Sequence, residues 1–143
     1  MTENELTHDE IVERAAHWLR HSHKCPVVLV QPRCMLEIPD VVGFKSADSF
    51  LVSVETEREE FEEHLATSLA DKFPMISVGN YRFFVTPPYL VEPEEVPDYW
   101  GLAYVYPKII RTVKHAYRIS EPYEMVSRER AILYWGLRRA QTA

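Results

Sequence analysis

Apolar residues recur at helical spacing over residues 8–22. Ile11, Ala15, Trp18 and Leu19 fall on one stripe, and Glu10, Glu13, Arg14, His17 and His21 lie off it. Thr7 stands where an N-cap belongs, and Glu10 follows three residues later as a capping box requires. After Pro26 the unbroken run Val27-Val28-Leu29-Val30 predicts a strand covered on both faces. Over residues 36–57 the pattern becomes two short strands, with Gly43 and Ser46-Ala47-Asp48 marking the turn region. In the second strand, alternation sets Ser53, Glu55 and Glu57 on one face and Val52, Val54 and Thr56 on the other. A hairpin of this kind brings Asp40 close to Ser53 and Glu55.

The period returns to helical from Arg58 to Ala70, with Phe61, Leu65 and Leu69 as the spine and Glu59, Glu60, Glu62 and Glu63 opposite. Those acids favour the helix start and repel a phosphate backbone. A strand follows from Tyr81 to Thr86, with Arg82, Phe84 and Thr86 on one face and Pro87-Pro88 at its end. Arg82 is the one base in it, facing either a phosphate or a core carboxylate. An acidic, proline-bounded turn spans 93–97, and residues 102–106 read as the last strand of the main sheet. Residues 108–119 are apolar and basic by turns, a strand or hairpin arm, and 122–139 form a helix offering Val126, Ile132, Leu133, Trp135 and Leu137 for packing. The expected fold class is α/β: a central mixed sheet flanked by helices, in one domain over 1–143 with its core at about 7–106 and a basic arm and helix at about 107–143.

Composition narrows the function classes. The 143 residues are 46% apolar and 27% charged, ordinary for a soluble domain. No apolar run reaches the length of a membrane span, and the start of the chain lacks the pattern of a signal peptide, so the expectation is a cytoplasmic protein with no membrane partner. Cys25 and Cys34 are then reduced thiols. His17, His21, His23 and Cys25 lack the flanking glutamate and second Cys pair of zinc motifs and read as a polar helix end. The net charge is −6, split into 15 acids against 6 bases over 1–71 and 7 acids against 10 bases over 72–143. The acidic whole argues against tight nonspecific nucleic-acid binding. Phosphate, if bound, falls to Lys108, Arg111, Lys114 and Arg118, with Arg138, Arg139 and Arg82 as further candidates. With four glycines and no Walker or Gly-x-Ser-x-Gly motif, a nucleotide-cradling loop is not expected.

Taken together, Ala16 to Arg20, the strand Val27 to Val30, Glu37-x-Pro39-Asp40-Val41-x-Gly43 and Arg58 to Phe61 resemble small bacterial and prophage-encoded members of the PD-(D/E)xK nuclease superfamily. Gly79 to Phe84, Thr86-Pro87-Pro88 and Trp100-Gly101-Leu102 extend the likeness over residues 7–105. The resemblance implies a restriction-endonuclease-like core, a magnesium-dependent phosphodiesterase site, and DNA as substrate. Small domains of this type commonly pair, which brings a homodimer within the expectation.

The decisive half of the motif departs from the family. Registered on Arg58 and Phe61, the family's glutamate falls on Ser53 and its lysine on Glu55. The vestigial catalytic positions are therefore Asp40, Ser53 and Glu55. A metal, if held, would take Asp40 and Glu55 with Glu10 or Glu13 from the first helix, where the family can draw a further ligand. Three readings stay open. One is a nuclease-fold protein with a degenerate metal site that binds DNA or a protein. Another is an active endonuclease using Glu55 in the lysine position, as some restriction enzymes do. The third is a protein-interaction domain unrelated to DNA.

Overall fold

In the computed structural model, residues 5–33, 39–70, 78–120 and 123–142 are described, the side chains of 67–70 and 124 excepted. Cys34 and Glu37 lie outside the described residues, as does the side chain of Leu69. The chain runs α1 (His8–His21), β1 (Val27–Val30), β2 (Val41–Lys45), β3 (Asp48–Val54), α2 (Arg58–Ala70), β4 (Tyr81–Thr86), β5 (Gly101–Val105), β6 (Ile110–Lys114) and α3 (Tyr123–Thr142). The α1 capping box forms as the sequence predicts. Thr7 N donates to Glu10 Oε1 at 3.0 Å, and Glu10 N donates to Thr7 Oγ1 at 3.2 Å.

The six strands form one mixed sheet in the order β1-β2-β3-β4-β5-β6. The first three make an antiparallel meander. Helix α2 then carries the chain across one face, so that β4 joins β3 in parallel, and β5 joins β4 in the same sense. A 3₁₀ turn at Pro93–Glu95 lies in that second crossover, and β6 returns antiparallel to β5. The result is the α/β architecture of a central mixed sheet between helices.

Strand alternation divides the core into two layers. Val41, Val52, Val54, Phe83, Val85 and Ala103 meet α1 through Ile11, Val12, Ala15, Trp18 and Leu19. On the other face Phe84, Leu102 and Tyr104 pack under Phe61 of α2, while Val42, Phe44 and Leu51 pack under Ile132 of α3. Full burial of side chains such as Ile11 and Leu19 contributes about 1.5–3 kcal/mol each. Helix α1 comes so close to β2 that a Cβ on Gly43 would sit 3.1 Å from both Cys25 Sγ and Leu19 Cδ1.

The run Val27–Val30 is covered from both faces along its middle, Val28 by α1 and Leu29 by α3, where a Cβ on Gly136 would sit 2.8 Å from Leu29. It is nevertheless an edge strand, and Val27 is 42% exposed. One expectation changes. Residues 102–106 are not the last strand of the main sheet, because the basic arm joins it as β6. Beyond β6 the chain is stapled back, with Tyr117 N donating to Tyr99 O at 3.1 Å and Ile119 N to Asn80 O at 2.8 Å. Among the described residues, no helix is long and apolar enough to cross a membrane.

Candidate functional site

Asp40 ends the connection into β2 and is held from two sides. Its carbonyl accepts from Gln31 N at 2.9 Å, and its Oδ2 accepts from Val54 N at 2.8 Å. Because Val41 pairs with Val52, Asp40 stands level with Ser53 on the neighbouring strand. Glu55 N donates to Val85 O at 3.1 Å, which extends the β3–β4 ladder one residue past β3 and fixes the backbone there. Alternation then puts Ser53 and Glu55 on the α2 side of the sheet, where they are 6% and 5% exposed.

Helix α2 adds a residue that the sequence reading passed over. His64 follows Phe61 by three positions, so both face the sheet. The Phe61 ring meets Phe84 edge-on at 5.1 Å, and the His64 imidazole stands edge-on to Phe84 at 5.4 Å and to Trp100 at 6.2 Å. This aromatic wall places His64 Nδ1 2.8 Å from Glu55 Oε1 and 3.1 Å from Ser53 Oγ. Ser53 Oγ also donates to Glu55 Oε1 at 3.1 Å. From α1, His8 Nε2 lies 3.4 Å from Asp40 Oδ1.

Two carboxylates therefore meet where little water reaches. Burial is the main force raising the Asp40 pKa above the ordinary carboxylate range, and the Glu55 charge adds to it. The Val54 N–H and the imidazoles of His8 and His64 oppose the rise without cancelling it.

Ser53, His64 and Glu55 have the residue types of a nucleophilic triad but not its geometry. A working relay places the hydroxyl and the acid on opposite imidazole nitrogens. Here both contact Nδ1. A magnesium ion would need hard oxygens with lone pairs to spare, and one oxygen of each carboxylate is already engaged. Asp40 Oδ2 is taken by Val54 N–H, and Glu55 Oε1 by His64 and Ser53. Among the described residues, no three of His, Cys, Asp and Glu converge as a cation site. The α1 acids stand apart from this cluster. Glu10 Oε1 is engaged in the helix cap and Glu13 is exposed, so His8 is the α1 residue that reaches Asp40.

The basic candidates do not gather on one surface. Arg82 is 2% exposed and donates to Gly79 O at 3.0 Å, a core position that faces no solvent phosphate. Burial brings its pKa down to about 10, and the nearby Glu129 charge works against that fall. Lys114 donates to the carbonyls of Val96 and Pro97 at 3.0 and 2.8 Å. Arg118 pairs with Asp48 at 2.9 Å. Lys108 and Arg111 are exposed beside and on β6. Arg138 and Arg139 are exposed on α3, which lies at the other edge of the sheet, where a Cβ on Gly136 would sit 2.8 Å from Leu29. Five strand spacings, about 24 Å, separate the two edges.

No protein-family model matches the chain, and no match was found among curated proteins. Among solved structures, it is similar to a protein of unknown function from Silicibacter pomeroyi. That likeness has a TM-score of 0.70 at 16% sequence identity and covers 96% of this chain and 91% of the other. It shows a shared fold.

Proposed function

We propose that this chain is a nuclease-fold protein whose metal site has degenerated and which works by binding. One observation carries the reading: Asp40 and Ser53 stand level on adjacent strands with Glu55 two residues on, as a Pro-Asp…x-x-x motif would have them, while Asp40 Oδ2 and Glu55 Oε1 are held by Val54 N–H, Ser53 and His64. The resemblance puts a lysine where Glu55 stands, and that lysine would answer the charge that develops on a phosphate during hydrolysis. Loss of one such donor costs about 3–4 kcal/mol, or roughly 10²–10³-fold in rate. Glu55 adds a buried anion in its place, bound by His64 and Ser53.

The surface favours a protein as the binding partner over nucleic acid. Basic groups are split between the two sheet edges, and the exposed face of α2 carries Glu59, Glu60, Glu62 and Glu63. Helix α3 meanwhile exposes Val126, Leu133, Tyr134 and Leu137 by 47, 41, 62 and 60%. Apolar residues grouped in this way mark interaction surfaces more often than solvated ones.

Calorimetric titration with magnesium and with manganese tests the metal half of the proposal. The expected result is no saturable heat with either ion. Saturable binding that disappears in Asp40→Ala would overturn it.

A further inference from the structure

At the opposite end of the sheet from Asp40, a cavity of about 490 Å³ opens between the last turn of α1 and the first residues of β3 and β4. Its size falls within the range of small-molecule sites, roughly 300–1,000 Å³. Phe50 and Tyr81, cross-strand partners, line it with rings stacked at 5.0 Å and 19°. The His23 imidazole leans on Phe50 at 5.5 Å and on Phe83 at 5.3 Å. This side of the cavity is flat and aromatic.

The rest of its lining is mostly polar, and Lys24 and Lys45 bring positive charge to it. Lys24, Lys45 and His115 reach it, with the hydroxyls of Ser22 and Ser46. Two turns bring these groups to one mouth: Lys24 and Ser46 both hold left-handed backbone, at φ 59° and 54°. Asp48 is the one carboxylate in the lining, and Arg118 answers its charge at 2.9 Å. A chain of net charge −6 thus keeps a positive cavity. Burial first, and the Lys45 charge second, hold the His23 imidazole below its ordinary pKa. A neutral imidazole both donates and accepts, as reading the edge of a heterocycle requires.

We propose that this cavity binds a nucleoside 5′-monophosphate, with its base against Phe50, Tyr81 and His23 and its phosphate at Lys24 and Lys45. An aromatic wall alone would suit any flat apolar molecule, and two ammonium groups alone any small anion. Their meeting in one cavity of this size selects a ligand that carries both a ring and a phosphate. The inference is independent of the nuclease-like reading, because no residue of the Asp40 cluster takes part.

Calorimetry on the full chain with adenosine 5′-monophosphate, adenosine and inorganic phosphate tests it. The nucleotide should bind at least about tenfold more tightly than either fragment. Lys24→Gln combined with Lys45→Glu should weaken the nucleotide about tenfold or more and leave adenosine unchanged. Tyr81→Ala should weaken both. Both lysines are exposed, so the double variant should melt like the natural protein. Displacement of the nucleotide by a 5′-phosphorylated oligodeoxyadenylate, but not by its 5′-hydroxyl form, assigns the pocket to a strand end. Failure of both to displace it assigns the pocket to the free nucleotide. Absence of saturable nucleotide binding, or equal affinity in the natural protein and a folded lysine variant, overturns the proposal.

Discussion

At the start of β3 Ser49, and near its end Ser53, each bury a hydroxyl against a glutamate, and the two surroundings differ in kind. Ser49 Oγ donates to Glu129 Oε2 at 2.6 Å, and the same carboxylate oxygen accepts from Gly79 N at 2.8 Å. Asn80 accepts from Ser49 N at 2.8 Å and donates to Ile119 O at 3.0 Å, while Arg82 adds a buried positive charge nearby. Donors, acceptors and charges answer one another there, and the cluster ties β3, β4 and the chain beyond β6 together. Around Ser53, by contrast, Glu55 faces a second carboxylate, Asp40, answered by the Val54 N–H and the nearby imidazoles of His8 and His64. Folding alone does not call for two acids in that position.

This contrast can be broken most sharply at the first end. Asn80→Ala should lower unfolding stability by about 3 kcal/mol, because it strands the buried Ser49 N–H and Ile119 carbonyl together. Chemical denaturation measures it, and a loss under about 1 kcal/mol would mean that the cluster is not the staple described. At the other end His64→Ala should cost less, about 1–2 kcal/mol, since Ser53 still donates to Glu55.

The smallest effect is the most diagnostic. The folded-state pKa of Asp40 is raised, so its contribution to stability is present below the unfolded pKa and lost as pH rises through the folded value. Asp40→Asn removes that loss. Its melting temperature should therefore fall less than that of the natural protein as pH rises through the carboxylate range. Asn80→Ala should shift the whole curve down without changing its shape. Parallel curves for Asp40→Asn and the natural protein would contradict the electrostatic account.

Much of this was legible in the sequence where short-range patterns decide the outcome. The Thr7–Glu10 cap, the alternation through Ser53 and Glu55, the strand Tyr81–Thr86 and the approach of Asp40 to Ser53 all follow from local periods and a hairpin. Edge position is not a local property. A β-branched run reads alike at a sheet's centre and at its rim, so the edge place of β1 was not legible, and the basic arm hid its place as β6. Arg82 shows the same limit, because alternation gives its face but not what covers that face. His64 had a signal, its three-residue spacing from Phe61, which the surrounding glutamates obscured. The cavity at Lys24, Lys45 and His115 had none, since its lining comes from four separate stretches.

The account turns on whether Ser53 in β3 and Glu55 just past it are what would keep the proposed site from cutting. Nicking of supercoiled DNA in magnesium measures that directly, comparing the natural protein with Ser53→Glu/Glu55→Lys. The natural protein should nick little or not at all. The double variant, which on the proposed reading supplies the missing carboxylate ligand and cation beside Asp40, should gain magnesium-dependent nicking, and either single change should do much less. Strong cleavage by the natural protein, abolished by Glu55→Gln, would contradict the account and make Glu55 a working catalytic residue.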